Sequence, residues 1–165
     1  MKRLFSPWRM KYIENTKGIE EGGCVFCDAL AQEDSSSNLV IARGTEAFAM
    51  LNLFPYTSGH MMVASFDHKS NLDDLNPAAR AEMMELVSQC IVTLKQVYQP
   101  QAFNVGANIG VAAGAGVPGH IHLHIVPRWT GDTNFMSTVG EVRVLPEVVD
   151  ETYKRIRTAW KEMYK

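Results

Sequence analysis

The stretch from Gly119 to Met136, GHIHLHIVPRWTGDTNFM, decides how the rest of the chain is read. Within it His120, His122 and His124 alternate with Ile121, Leu123 and Ile125. A period of two belongs to a β-strand, whose successive side chains point to opposite faces. One face of this strand therefore carries three imidazoles, and the other carries branched aliphatics. These are three of the chain's five histidines. A wet strand face is served by Ser, Thr or Lys and has no use for neutral nucleophiles in a row. Two chemistries do use them. Alternate strand positions lie roughly 6.5–7 Å apart, so neighbouring imidazoles can aim at one metal ion. Alternatively, one imidazole attacks phosphorus while its neighbours orient it and balance charge.

Directly upstream runs Gly110-Val-Ala-Ala-Gly114-Ala-Gly116-Val-Pro-Gly119. So many glycines cost backbone entropy, but they let main-chain N–H groups approach and surround an anion. Placed immediately before the histidines, such a loop points to phosphate.

Working outward, residues 39–42 and 47–51 read as two short strands around Arg43-Gly44-Thr45, a hairpin signal. Residues 60–65 form a third strand, 102–109 a fourth and 120–127 the fifth. Asn76-Pro77 starts a helix, with Asn as N-cap and Pro in the first turn. From there Ala79, Met83, Leu86, Val87, Cys90, Ile91, Leu94 and Val97 recur at three- and four-residue steps, and Pro100 ends the run. Cys90 lies inside this apolar stripe and reads as a small core hydrophobe. Pro146 opens a last helix with Val149, Tyr153, Ile156, Trp160 and Met163 on one side. The order predicts an α+β domain, an antiparallel sheet of about five strands carrying two main helices.

The chain has 165 residues, 46% of them hydrophobic, and is expected to be a single domain over 1–165 with a buried core. Residues 1–23 hold Phe5, Pro7, Trp8, Met10, Tyr12 and Ile13, and read as an N-terminal arm packed on the domain or on a partner subunit. A formal net charge of −2 gives no general attraction to nucleic-acid polymers. No apolar run reaches membrane-spanning length, and Ser6, Pro7, Arg9 and Lys11 interrupt any signal-like segment, so no membrane partner and a cytoplasmic location are expected. The three cysteines are an odd number, which argues against a disulfide framework. Two of them, Cys24 and Cys27, form a CxxC pair read on a tight turn. The pair is either a redox couple, whose usual βαβ context is missing, or half of a zinc site needing two more ligands from elsewhere.

The run His120-Ile-His122-Leu-His124-Ile-Val-Pro127-Arg128 resembles the motif of the histidine triad (HIT) family of nucleotide hydrolases and transferases. The resemblance extends to Asn108-Ile-Gly110, to Asn52 with Pro55 and Gly59-His60, and to Cys24-Val-Phe-Cys27. It implies the HIT-like fold, a homodimer, and a small-molecule adenine nucleotide such as a dinucleoside polyphosphate or an AMP conjugate. It also implies site roles. His122 would attack the α-phosphorus to give a nucleotidyl-histidine, its other ring nitrogen donating to a backbone carbonyl. His124 and the N–H groups of Gly114 to Gly119, Gly116 included, would hold phosphate oxygens. Asn108 would lie near the phosphate and Asn52 at the ribose, with His60 either behind the catalytic histidines or simply a capped strand start. His120 would be catalytic as the first triad histidine and, as in related uridylyltransferases, would also complete a structural zinc site with Cys24, Cys27 and His68.

Gly116 departs from the pattern, since many family hydrolases carry Gln or Ser there. Together with Pro127-Arg-Trp129-x-Gly-Asp132-x-Asn134-Phe, it looks more like the branch labelled diadenosine tetraphosphate phosphorylase. Arg128 reads as a surface ion-pair residue in preference to a substrate contact. Two other functional readings stand beside the enzyme: a nucleotide-binding regulatory protein without turnover, and a zinc-dependent hydrolase in which His60 joins His122 and His124 around a catalytic metal.

Overall fold

The computed structural model describes residues 23–132 and 147–164. The N-terminal arm and the expected helix start at Pro146 lie outside these, as do Asn134, Phe135 and Met136. Five strands form one antiparallel sheet in the order β1-β2-β3-β5-β4, with β1 Val40–Arg43, β2 Ala47–Leu51, β3 Met61–Ser65, β4 Ala102–Gly106 and β5 His122–Arg128. Among the described residues three α-helices accompany it: α1 Val25–Leu30, α2 Pro77–Tyr98 and α3 Val149–Met163. A short 3₁₀ turn spans Val111–Ala113. The α+β architecture expected from the order of elements is the one found. No helix among the described residues is long and apolar enough to cross a membrane.

The long helix begins as its sequence dictates. The Asn76 side chain accepts the Ala79 N–H at 2.8 Å, with Pro77 in the first turn. It ends where Gln99 turns left-handed, at φ 49°, and returns its N–H to Lys95. α2 lies across β2, β3 and β5, and its stripe of Met83, Leu86, Cys90 and Leu94 joins Met61, Val63, Leu123 and Ile125 in one core. Each such large apolar side chain contributes about 1.5–3 kcal/mol when fully buried. Cys90 is fully buried there, and that burial pushes its thiol pKa well up. α3 packs on α2 and β1 through Tyr153, Ile156 and Trp160.

Register places the histidines. Met62 of β3 pairs with His124 and Ala64 with His122, while Gly106 of β4 pairs with His124 from the other side. β5 starts two residues later than the alternation suggests. The ladder with β3 ends at Ala64–His122; before it, Ile121 N–H bonds to the Lys69 carbonyl at 2.6 Å and His120 N–H to Val117 at 3.4 Å. The histidine face is also not a wet face, since His120 and His122 are buried as deeply as the aliphatics opposite. The cover includes α1, which the sequence reads only as a tight turn. Cys24 is its N-cap, and Cys27 lies inside it.

A carboxylate unremarked in the sequence locks the first hairpin. Glu82 of α2 accepts N–H groups from Thr45, Glu46 and Ala47 at 2.9, 2.5 and 2.8 Å. Burial raises its pKa, but these three donors outweigh burial and hold it below the usual carboxylate value. A Cβ on Gly44 would stand 2.6 Å from that carboxylate, so a larger residue in the turn would have to push Glu82 off its three donors.

Candidate active site

Two clusters meet at the start of β5. In the first, the thiols of Cys24 and Cys27 on α1 face the imidazoles of His120 and of His68, in the loop after β3. Cys24 Sγ lies 3.3 Å from His120 Nδ1, Cys27 Sγ 3.3 Å from His68 Nδ1 and 3.7 Å from His120 Nδ1. All four ligand atoms fall within 4.8 Å of one another. Bond lengths of about 2.3 Å to sulfur and 2.0–2.1 Å to nitrogen in a tetrahedron imply S···N edges of about 3.6 Å, so the donor set fits zinc. The other nitrogen of His120 bonds to the Ser65 carbonyl at 2.8 Å, which directs the Nδ1 lone pair at the thiols. Burial, and then the neighbouring Cys24, push the Cys27 thiol up to about 11. A close cation reverses that preference, because a coordinating thiol is deprotonated outright. Gly119 belongs to this cluster structurally, since a Cβ there would stand 3.3 Å from His68 Nε2.

The second cluster is His122, His124 and His60. His122 Nδ1 lies 2.8 Å from the carbonyl of His120, so this nitrogen carries the proton and Nε2 keeps the lone pair. Burial lowers the His122 pKa, and the hydrogen bond offsets only part of that. Beside it, His124 is 4.9 Å away ring to ring, edge on, and burial followed by the neighbouring His122 lowers its pKa to about 4. Both rings are neutral at pH 7.

The main chain also sets the His124 tautomer. The Tyr56 N–H, which can only donate, points at His60 Nδ1 at 3.1 Å, and Asn52 Nδ2 lies 3.4 Å from the same atom. His60 Nδ1 therefore accepts, its Nε2 carries the proton, and that proton is given to His124 Nδ1 at 3.0 Å. The neutral His124 is left with Nε2–H, a donor next to the His122 lone pair. This geometry also weighs against a three-imidazole metal: His60 Nε2 and His124 Nδ1 share a proton where an ion would need two lone pairs.

The remaining residues named from sequence are positioned less closely. Asn52 follows β2, and its Oδ1 accepts the Phe54 N–H at 2.9 Å. Asn108 is exposed, two residues beyond Gly106, which pairs with His124. In the glycine loop, the Gly114 N–H closes the 3₁₀ turn onto Val111 at 2.9 Å and Ala115 bonds back to Gly110 at 3.4 Å. The N–H groups of Gly116, Val117 and Gly119 donate to no described residue. Arg128 forms a bidentate pair with Asp132 at 2.6 and 2.8 Å and bonds Asn104 at 2.7 Å, in line with an ion-pair role.

Three residues of the site escape sequence reasoning. Ser65 acts through its carbonyl, and Tyr56 through its N–H as well as its ring, which lies 4.6 Å from His60 and 6.1 Å from His124; the main-chain contacts leave no side-chain signal. Phe26, between the two cysteines, packs its ring on both His120 and His122; its place inside CxxC was the only available hint.

Comparison with known proteins agrees with this geometry. The HIT domain family matches residues 33–131. The AP-4-A phosphorylase of Mycobacterium tuberculosis (strain CDC 1551 / Oshkosh) is 36% identical over 165 aligned positions, covering 97% of this chain and 85% of that protein. The bis(5'-nucleosyl)-tetraphosphatase (asymmetrical) of Schizosaccharomyces pombe is 34% identical over 84 positions, 51% of this chain and 46% of that one. A zinc-bound histidine triad family protein from Mycobacterium smegmatis superposes with a TM-score of 0.68 at 27% identity, over 86% of this chain and 95% of its own. With the family match spanning more than half of its length and enclosing the histidine strand, the chain belongs to the HIT family.

Proposed function

We propose that the protein is a nucleotidyltransferase acting on adenine nucleotides, dinucleoside polyphosphates or AMP conjugates, through a covalent nucleotidyl-His122. One observation carries this reading: a neutral imidazole whose Nδ1–H is held by a backbone carbonyl stands beside a second neutral imidazole that presents an N–H. In the first half-reaction the lone pair of His122 Nε2 forms a bond to the α-phosphorus. The bond from that phosphorus to the bridging oxygen breaks, and its electron pair leaves with the departing nucleotide or group. The positive charge that develops on the His122 ring is stabilised at Nδ1–H by the His120 carbonyl. His124 Nε2–H donates to an oxygen that gains charge, and the N–H groups of Gly116, Val117 and Gly119 serve the non-bridging oxygens. In the second half-reaction an acceptor oxygen attacks, the P–N bond breaks and its pair returns to Nε2.

The side chain of His120 has both nitrogens engaged, at Ser65 and at the thiols, so its contribution to chemistry is its carbonyl. Cys24, Cys27, His68 and His120 hold zinc, which ties α1 to the start of β5 as a structural cross-link. Asn52 bonds the ribose, and Asn108 lies at the phosphate. The protein works as a homodimer in the cytoplasm, with neither nucleic-acid polymer nor membrane as partner.

The name of the Mycobacterium tuberculosis relative and the glycine at 116 support inorganic phosphate as acceptor. The test is turnover of diadenosine tetraphosphate with and without millimolar phosphate. ADP and ATP appearing only with phosphate supports a phosphorylase, whereas AMP and ATP unaffected by phosphate means a hydrolase. His122→Ala should lose several orders of magnitude in turnover yet still bind nucleotide. Comparable turnover in that variant, or no acid-labile nucleotidyl adduct in the parent protein, rejects the covalent route.

A further inference from the structure

The two clusters share one side chain. Phe26 sits between the cysteines on α1, is 1% exposed, and lays its ring against His120 at 5.0 Å and against His122 at 4.8 Å between centroids. We propose that Phe26 is a positioning residue, through which the Cys24–Cys27–His68–His120 clip holds the His122 imidazole in its attacking orientation. The inference rests on His122 being the nucleophile.

The His122 ring is fixed at Nδ1 by one hydrogen bond, but that bond alone leaves the ring plane free to tilt about it. Two ring contacts remove this freedom: the edge-on His124 at 4.9 Å and the Phe26 ring, inclined by 37° to His122. Aromatic pairs at 4.5–7 Å prefer offset or edge-on arrangements, so such contacts are orienting and not merely filling. Phe26 in turn needs a fixed base. α1 has only six residues, far below the length at which a helix holds itself in water. What pins it at this end is the pair of thiols beside His68 and His120, 3.3 Å away. The chain of dependence therefore runs from the clip to α1, from α1 to Phe26, and from Phe26 to the nucleophile. A nucleophile off line by a fraction of a bond loses rate without losing substrate affinity.

The experiment uses the full-length protein loaded with zinc and diadenosine tetraphosphate as substrate. Phe26→Leu removes the flat ring face while keeping an apolar side chain. It should slow formation of the nucleotidyl adduct about 10- to 100-fold, with KM within about threefold and zinc per chain unchanged. The ¹⁵N-detected Nδ1–H signal of His122, expected as a single sharp resonance in the parent, should broaden or disappear in the variant under conditions where both are folded. Phe26→Met, which keeps volume but not the ring face, should behave likewise and serves if Phe26→Leu does not fold. Phe48→Leu is the comparison: Phe48 touches the Phe26 ring at 6.4 Å and Phe66 at 6.0 Å. It should lose stability with turnover within about twofold. Adduct formation in Phe26→Leu at the parent rate, or an equal loss in Phe48→Leu, overturns the inference while leaving the covalent reading intact. Absence of any adduct in the parent overturns that reading first.

Discussion

Replacing His60 by phenylalanine tests whether this buried residue is a working part or a capped strand start. Phe keeps a flat aromatic ring, slightly larger than the imidazole, in a site that is 1% exposed, so the face against Tyr56, whose ring is 4.6 Å away, is retained. What is lost is the donation from His60 Nε2 to His124 Nδ1 at 3.0 Å and the acceptance of the Tyr56 N–H at 3.1 Å. The Tyr56 loop is partly exposed and water replaces that partner at little cost. The buried acceptor on His124 has no such substitute, and its ring becomes free to carry its proton on either nitrogen. A neutral hydrogen bond of this kind contributes about 0.5–1.5 kcal/mol, and a donor aimed at developing charge about 2.7–4 kcal/mol. Since His124 is loosened and not removed, the loss should lie between these ranges, about 1–3 kcal/mol, or about 5- to 150-fold in kcat. KM for diadenosine tetraphosphate should change by less than about threefold, because His60 is 1% exposed and bonded to His124. Steady-state kinetics on the zinc-loaded variant measure both, and thermal unfolding checks that the fold is intact. A kcat within twofold of the parent would refute the tautomer relay and return His60 to a structural role.

Three further outcomes follow from the same coordinates. Cys24→Ser should lower zinc content and Tm together: a ligand present at 100 times its Kd contributes about 2.7 kcal/mol, and for a chain of this size that is about 5–11 °C; an unchanged zinc-to-protein ratio would reject the ligand set. Glu82→Ala should cost about 1–3 kcal/mol, discounted for water reaching Thr45, with specific activity within twofold; because the folded carboxyl is held below its ordinary value, this stabilisation is present above about pH 4.5 and is lost as pH falls through the folded pKa, so denaturant midpoints of parent and variant should converge in acid. For activity, His124 takes up its proton only near pH 4 instead of the usual 6.5, so kcat/KM should hold from pH 7 to about 5 and fall below that; an acid limb centred near 6.5 would show that the rings are not held neutral.

Periodicity made the histidine strand and the α2 stripe legible, because a repeat of two or of three to four states which side chains share a face. It does not state what covers that face. The burial of His120 and His122 depends on α1, a helix of six residues whose sequence reads as a turn, and on Phe26, whose partners lie some hundred positions away in the chain. The proposed metal set shows the same limit: spacing left Cys24 and Cys27 as either a redox couple or half a zinc site, while His68 and His120, 41 and 93 residues beyond Cys27, came from family resemblance alone. The Glu82 carboxylate and the Tyr56–His60–His124 relay were invisible for a different reason. Both are set by backbone N–H donors, those of Thr45, Glu46 and Ala47 at Glu82 and that of Tyr56 at His60, which every residue but proline carries and no residue type announces.

The choice of donors explains how the proposed metal site and the proposed nucleophile could share one strand. His120 and His122 are two positions apart, about 6.5–7 Å along the backbone. At that separation an uncompensated dication would withdraw electron density from the His122 ring and disfavour the cation that forms when Nε2 attacks. Two thiolates and two neutral imidazoles around Zn²⁺ carry no net charge, and the metal-free cluster with both thiols protonated carries none either. Cys27, held up to about 11 by burial and by Cys24, takes the protonated form when no cation is near. Exchange of two protons for one zinc therefore leaves the long-range field at His122 almost unchanged. What zinc would change is mechanical, since it would fix α1. Any effect of the clip on the proposed nucleophile would then pass through contact, by the His120 carbonyl at Nδ1 of His122 and by the ring of Phe26, which touches both His120 and His122.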